Sequence, residues 1–204
     1  MATPATPPLP GDILPTYRRV ADRFAVLRTT ALFERPMLDA LERATPGRDL
    51  LDLGCGTGRP LAQHLQRRGF RLTGVDGAAP MLTHYRRNVP GARTCCRDMR
   101  GLALRQRFHA LLAWNSFFHL DPTAQSRMFP VFAAHLRPGG VLVFSSGPAR
   151  GEAYGAVDGA PVYHASHDPL CYRSMLTRAG FRVLMFRPED PALDRHSWWL
   201  CRRT

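Results

Sequence analysis

The sequence predicts an α/β fold in which helices cover both faces of a doubly wound, mostly parallel sheet. Seven short apolar segments predict the strands, over 49–53, 71–75, 92–96, 108–114, 141–145, 181–186 and 197–201. Most of the first five strands are separated by helical segments, as right-handed crossovers between parallel strands require. No helix separates the last two strands, so the last strand is predicted to run antiparallel to its neighbours.

Apolar residues at spacings of three and four predict an N-terminal helical cap over about 12–45. Further helices are predicted over 59–68, 79–88, 122–136 and 168–179, and the glycine-rich stretch 147–161 is predicted to be a loop. Residues 1–11 contain four prolines and no apolar core of an export signal. We therefore expect a disordered lead over 1–11 and a single domain over 12–204.

The formal net charge of +12 raises the question of a nucleic-acid partner. All 28 basic residues are arginine and none is lysine, which is more typical of a GC-rich genome than of a phosphate-binding surface. The arginines are also scattered along the predicted helices, without clustered aromatic side chains for base stacking. The composition therefore argues against nucleic acid as a partner.

Targeting and cysteine patterns point to a cytoplasmic protein. No apolar run is long enough to cross a bilayer, and the N-terminus lacks an export signal. The cysteines show neither a CxxC pair nor the Cys/His spacing of a metal site. We therefore expect no membrane segment, no disulfide and no metal. The cysteines are Cys55, Cys95, Cys96, Cys171 and Cys201.

The strongest motif follows the first strand and contains three alternating glycines, Gly54, Gly56 and Gly58, preceded by Asp52. Glycines let the backbone turn tightly and approach a ligand at the carboxyl end of a strand. The spacing is GxGxG, whereas the dinucleotide fingerprint is GxGxxG. An acid beside such a loop would repel a pyrophosphate but would suit a ligand that carries an ammonium group.

Two further acids follow the next two predicted strands. Asp76 ends the second strand, where a carboxylate can accept hydrogen bonds from both hydroxyls of a ribose. Helix capping is an alternative role for it. Asp98 and Met99 follow the third strand, where an acid can accept from an adenine amino group while methionine covers the ring. Together with the glycines, these residues predict a pocket for an adenosine with an amino-acid tail.

This arrangement resembles the class I S-adenosylmethionine-dependent methyltransferases, from about Tyr17 to Arg203. Their Rossmann-like sheet has seven strands and an antiparallel last strand. A turn similar to Arg137-Pro138-Gly139-Gly140 of this chain precedes the fifth strand of that sheet. The resemblance implies that the three glycines line the methionine moiety of the donor, S-adenosylmethionine. Trp114 and Asn115 would flank its sulfur, and Tyr17 and Arg28 would close the pocket and meet its carboxylate. The full predicted donor-binding set is Tyr17, Arg28, Asp52, Gly54, Gly56, Gly58, Asp76, Met81, Asp98, Met99, Trp114 and Asn115.

The sequence after the fourth strand favours a small-molecule acceptor. Methyltransferases of exocyclic base amines carry two prolines after the Asn/Asp position, where this chain has Ser116-Phe117, and no cysteine follows a proline as in cytosine-C5 enzymes. His119 and His164 are the candidate general bases, since imidazole titrates near neutral pH. The stretch 151–153 with Tyr163-His164 resembles a bacterial branch of the family that acts on small molecules.

Two alternatives share the predicted fold. A nicotinamide-dependent oxidoreductase would also use a ribose-binding acid, although the GxGxG spacing and Asp52 argue against it. A protein that binds S-adenosylmethionine without transferring its methyl group would need no base. The acceptor, the methylated atom, the need for a base and the oligomeric state, a homodimer included, stay open.

Overall fold

The computed structural model describes residues 7–204, so the first six residues of the predicted disordered lead lie outside the described part. Pro10–Asp12 forms a short 3-10 turn that leads into the first helix. The helices are α1 Ile13–Leu27, α2 Arg35–Ala44, α3 Leu61–Arg67, α4 Ala79–Asn88, α5 Pro122–His135 and α6 Pro169–Arg178. The strands are β1 Asp49–Leu53, β2 Arg71–Asp76, β3 Arg93–Cys96, β4 Phe108–Ala113, β5 Leu136–Ser146, β6 Gly151–Val157, β7 Ala160–Ser166, β8 Phe181–Asp190 and β9 His196–Arg203.

Seven strands form the main sheet in the order β3-β2-β1-β4-β5-β9-β8, which confirms the predicted fold class. The pairs among β1–β5 are parallel, and β9 is antiparallel to both β5 and β8. The chain leaves β1 in one direction for β2 and β3, then returns to the other side of β1 for β4. In open α/β sheets ligands bind at this switch point, outside the carboxyl ends of the strands.

Both faces of the central strands are buried, as the continuous apolar runs of β1 and β4 predict. Leu50 and Leu112 belong to a core under α2, α3 and α4, whereas Leu51 and Leu111 belong to a second core under α5 and α6. The second core is rich in aromatic rings, with Phe144 stacked on Trp199 at a centroid distance of 5.8 Å. These two cores hold the strand ends rigidly. Among residues 7–204, the structure shows no helix with the length and apolar character that a membrane crossing requires.

The predicted N-terminal helical segment is two helices rather than one. Helix α1 ends at Leu27, Arg28 has an extended backbone, and α2 begins at Arg35. The physical reason is Pro36, which fits the first turn of a helix but would remove a hydrogen bond and clash in its interior. The break brings the Arg28 side chain to the sheet edge.

The prediction of a loop over 147–161 was wrong over most of its length. Strands β6 and β7 pair in antiparallel register and form a hairpin separate from the main sheet. Asp158 and Gly159 connect them with φ values of 48° and 72°, the backbone twist that two-residue hairpins favour. The Asp-Gly pair was the available hairpin signal, and the surrounding glycines obscured it. Strand β7 packs against α1 and the short turn after β4, so the hairpin covers the carboxyl end of the sheet.

Candidate functional site

A cavity of about 330 Å³ opens at the carboxyl ends of β1, β2 and β4, beneath α1 and the hairpin. Every site residue predicted from the sequence lines it, although these residues come from distant parts of the chain. They are Tyr17, Arg28, Asp52, Gly54, Gly56, Gly58, Asp76, Met81, Asp98, Met99, Trp114, Asn115, His119 and His164.

The structure explains in different ways why glycine occupies each of the three positions of the motif after β1. All three have positive φ, at 70°, 53° and 77° for Gly54, Gly56 and Gly58. A Cβ at Gly54 would lie 2.3 Å from the Ser116 Cβ, and one at Gly58 would lie 2.8 Å from Val89. A Cβ at Gly56 would meet no protein atom within 4 Å. Packing therefore requires two of the glycines, while Gly56 leaves an open cradle along the cavity.

Asp76 ties the glycine motif to the start of α4. Its carboxylate accepts hydrogen bonds from the backbone N–H groups of Gly56, at 2.9 Å, and Ala78, at 2.8 Å. The bond to Ala78 lies just before α4, so Asp76 forms a turn before the helix rather than a cap on it. Burial raises the pKa of Asp76 although both hydrogen bonds oppose the change. Each oxygen keeps lone-pair capacity for a ligand.

Asp52 is a buried carboxylate without a cationic partner among the described residues. Its side chain is 7% exposed, and its Oδ2 accepts a hydrogen bond from the Tyr85 hydroxyl at 3.3 Å. Burial raises the pKa of Asp52 from 3.8 to about 7, and the nearby charge of Asp76 adds to the increase. A cation in the cavity would relieve this unpaired charge.

Asp98 is held by its own loop. Arg100 donates to both of its oxygens, from Nε at 3.1 and 3.0 Å and from Nη2 at 2.5 Å. Burial alone would raise the pKa of Asp98, but the hydrogen bonds and charge of Arg100 lower it. The predicted contact with an adenine amino group is thus limited to the lone pairs that Arg100 leaves. Met99 lies beside the glycine motif, and Met81, on α4, is buried against α1.

Three buried polar atoms have no hydrogen-bond partner among residues 7–204; two belong to residues that line the cavity, and the third belongs to a residue that pairs with the lining residue Arg28. They are Thr57 Oγ1, Trp114 Nε1 and Glu34 Oε2. Thr57 and Trp114 line the cavity directly. Orphaned buried donors and acceptors cost stability, so native proteins rarely retain them without a reason. With the Gly56 cradle and the unpaired Asp52, they form a site that fits a polar ligand carrying a cationic group.

Glu34 is a residue that the sequence analysis missed. It is fully buried, and its Oε1 accepts a hydrogen bond from Arg28 Nη2 at 3.0 Å. Arg28 lines the cavity, so this ion pair orients a guanidinium at the site. No sequence signal distinguishes Glu34 from the many exposed acids at helix starts.

Ser145 and His196, which the sequence analysis also missed, hold the residues at the carboxyl end of β4. Asn115 has φ of 48°, and its backbone N–H donates to Ser145 Oγ at 2.8 Å. The His196 Nδ1 donates to the Leu193 carbonyl at 2.7 Å, so Nε2 accepts from the Asn115 amide at 3.1 Å. The His196 ring also stacks on Trp114 at 5.4 Å. Ser145 and His196 therefore set the orientation of the two predicted sulfur-flanking residues.

His119 has both ring nitrogens engaged. Nδ1 lies 2.8 Å from the Tyr163 carbonyl and therefore donates to it, so Nε2 accepts from the Tyr17 hydroxyl at 3.0 Å. Burial lowers the pKa of His119 to about 4 and raises that of Tyr17 to about 12. A neutral imidazole with no free nitrogen is a poor general base. This geometry favours a role for His119 in holding Tyr17 over the cavity.

His164 projects from β7 beside these groups. Its ring lies 4.8 Å from the rings of both Phe118 and His119. A Cβ at Gly155 would lie 2.9 Å from His164 Cε1, so the glycine on the paired strand makes room for the imidazole. Within residues 7–204 its ring nitrogens have no hydrogen-bond partner, and burial lowers its pKa. Of the two candidate bases, His164 has the free nitrogen.

Comparisons with known proteins agree with this geometry. A family described as "Methyltransferase domain" matches residues 50–140. A dTDP-3-amino-3,4,6-trideoxy-alpha-D-glucopyranose N,N-dimethyltransferase from Streptomyces venezuelae is 35% identical over 52% of this chain and 45% of its own length. A trans-aconitate 2-methyltransferase from Azoarcus sp. (strain BH72) is 33% identical over 50% of this chain and 44% of its own length. The match thus spans less than half of the length of either relative.

Solved structures extend the likeness over nearly the whole fold. A SAM-bound amino pentose methyltransferase from Micromonospora echinaspora has a TM-score of 0.70 at 20% identity, covering 91% of this chain and 96% of its own. The CcbJ methyltransferase from Streptomyces caelestis has a TM-score of 0.73 at 19% identity, covering 91% of this chain and 96% of its own. At this identity the likeness establishes the fold.

Proposed function

We propose that this chain is a class I S-adenosylmethionine-dependent methyltransferase that transfers a methyl group from S-adenosylmethionine to a small-molecule acceptor. The observation that carries the proposal is the unpaired, buried Asp52 carboxylate, which lies in one cavity with the Gly56 cradle. The donor has an ammonium group that this carboxylate suits.

The proposed donor contacts follow from the position of each side chain. Asp52 accepts from the donor ammonium, and Arg28, held by Glu34, meets the donor carboxylate. Asp76 uses its remaining lone pairs for the ribose hydroxyls. Asp98 and Met99 lie at adenine, the former with only part of its hydrogen-bonding capacity free.

When bound, the donor supplies a methyl group attached to a positively charged sulfur. The carbon of this methyl group is the electrophile of the reaction. The chain contributes mainly orientation, because a displacement at carbon needs the two reacting atoms in line. Trp114 and Asn115, fixed by His196, flank the position of the sulfur. Tyr17 closes the cavity above them and is held by His119. His164 can accept a proton from an acceptor that loses one.

The identity of the acceptor class is supported by the relatives. The Streptomyces and Azoarcus enzymes are named for an amino sugar and for trans-aconitate, both small molecules. Cytoplasmic location and the lack of a nucleic-acid partner are parts of this proposal that rest on the sequence.

Titration calorimetry with S-adenosylhomocysteine, the demethylated donor, tests the proposal. We expect binding to the whole chain and none of NADH. Asp52→Asn should weaken binding strongly, because the ammonium loses its charged partner. Asp49→Asn is the matched control, since Asp49 lies at the far end of β1 and pairs with Arg71 outside the cavity. Failure of the wild-type protein to bind S-adenosylhomocysteine would refute the proposal.

A further inference from the structure

The charges that line the cavity are confined to one side of it. In the described part of the chain, every charged lining residue lies between Arg28 and Arg100, directly after α1, near the carboxyl ends of β1 and β2, or in the loops after β1 and β3. The lining residues before position 28 and after position 100 carry no formal charge at neutral pH, because burial lowers the pKa of both His119 and His164. The cavity therefore has a charged donor side and an uncharged opposite side.

The uncharged side is formed by three separate elements. Ile13 comes from α1, Phe118 from the turn after β4, and Val157, Val162 and His164 from the hairpin. Cross-strand pairing places Gly155 opposite Val162 and Ala153 opposite His164, and residues directly opposite each other lie on the same face of the hairpin. Val157 is two positions after Gly155 on β6, and alternate residues of a strand share a face, so Val157, Val162 and His164 lie on one face. We call these five residues the neutral wall.

The neutral wall would penalise a charged acceptor. An ammonium or a carboxylate moved from water against it would lose hydration without gaining an ionic partner. His119 cannot compensate, because Tyr163 and Tyr17 occupy both of its ring nitrogens. His164 offers one polar contact, a ring nitrogen that no other described residue uses.

Building on the proposed function, we infer that the acceptor is an uncharged, largely apolar molecule that presents a hydroxyl group to His164. A hydroxyl is a neutral nucleophile that needs one hydrogen-bond acceptor, which the free imidazole nitrogen supplies. Transfer would form a bond from the hydroxyl oxygen to the methyl carbon while the carbon–sulfur bond breaks and its electron pair stays on sulfur. The hydroxyl proton would pass to the His164 nitrogen and then to water. This acceptor class differs from the amino sugar and the carboxylate after which the two relatives are named.

Three probes with one aromatic skeleton test the inference on the whole chain: 2-naphthol, 2-naphthylmethylamine, which is a cation at neutral pH, and 2-naphthoate. Binding of S-adenosylhomocysteine is measured first by calorimetry, so that a failure of the proposed function is seen separately. Each probe is then titrated into the protein saturated with S-adenosylhomocysteine. We expect 2-naphthol to bind at least about tenfold more tightly than either charged probe.

A charge placed on the neutral wall provides the second arm. Val157 is only partly buried, so Val157→Asp should fold and should reverse the preference in favour of 2-naphthylmethylamine. Tyr154→Asp puts the same charge on an exposed residue of the other hairpin face and should keep the wild-type preference. Equal or tighter binding of a charged probe by the wild-type protein overturns the inference. So does a lack of binding by all three probes up to their solubility limits.

Discussion

Replacing Asp52 with asparagine should stabilise the protein at neutral pH while it weakens donor binding. The buried Asp52 carboxylate has no cationic partner among the described residues, and its pKa is raised from 3.8 to about 7. The folded protein therefore keeps a proton that the unfolded chain loses. For a group with a raised folded-state pKa, stability is fully present below the unfolded pKa and is lost as the pH rises through the folded pKa.

The magnitude follows from the two pKa values. The interval from 3.8 to about 7, at about 1.4 kcal/mol for each pKa unit, corresponds to about 4 kcal/mol of lost unfolding free energy at pH 8. Asparagine has nearly the same shape, can still accept from Tyr85 and carries no charge at any pH. We expect Asp52→Asn and the wild type to be equally stable near pH 4 and to differ by up to about 4 kcal/mol at pH 8.

Urea unfolding of both proteins at intervals from pH 4 to pH 8 measures this difference. Asp49→Asn is a control of opposite sign, because the hydrogen bond from Arg71 lowers the pKa of Asp49. That pairing stabilises the fold above the unfolded pKa and is lost as the pH falls, so Asp49→Asn should be less stable than the wild type at neutral pH. Parallel stability curves for Asp52→Asn and the wild type would refute the assignment of Asp52 as a buried, uncompensated charge.

Three further predictions concern the site. Glu34→Gln should weaken binding of S-adenosylhomocysteine about tenfold or more, because Arg28 loses its charged partner. Binding of methylthioadenosine, which lacks the amino-acid tail, should not change, and equal losses for both ligands would indicate only a folding defect. Asp76→Ala should lower thermal stability as well as affinity by about 1–3 kcal/mol, because two backbone N–H groups lose their acceptor. Asp76→Asn should retain more stability than Asp76→Ala in thermal melts. His119→Gln and Tyr17→Phe should have similar effects on turnover, as members of one hydrogen-bonded pair. A much larger loss for His119→Gln, with donor affinity intact, would restore His119 as the general base.

The sequence was sufficient for the sheet, the glycine motif and the grouping of acids at strand ends. These features depend on local patterns: apolar runs predict strands, GxGxG predicts a tight turn, and parallel strands bring their carboxyl ends to one edge. Asp52, Asp76 and Asp98 could therefore be placed at one cavity from their positions in the chain.

Tertiary structure alone decided the partners of these residues. Asn115 and His196 are 81 positions apart, and Tyr17 and His119 are 102 positions apart, so no local pattern could pair them. The same packing engages both nitrogens of His119, leaves His164 free and turns the expected loop into a hairpin that covers the cavity. It also sets the pKa of Asp52, because desolvation depends on everything that surrounds a carboxylate in space. Residue type and spacing thus determined where the site lies, whereas long-range contacts determined which of its groups are free to act.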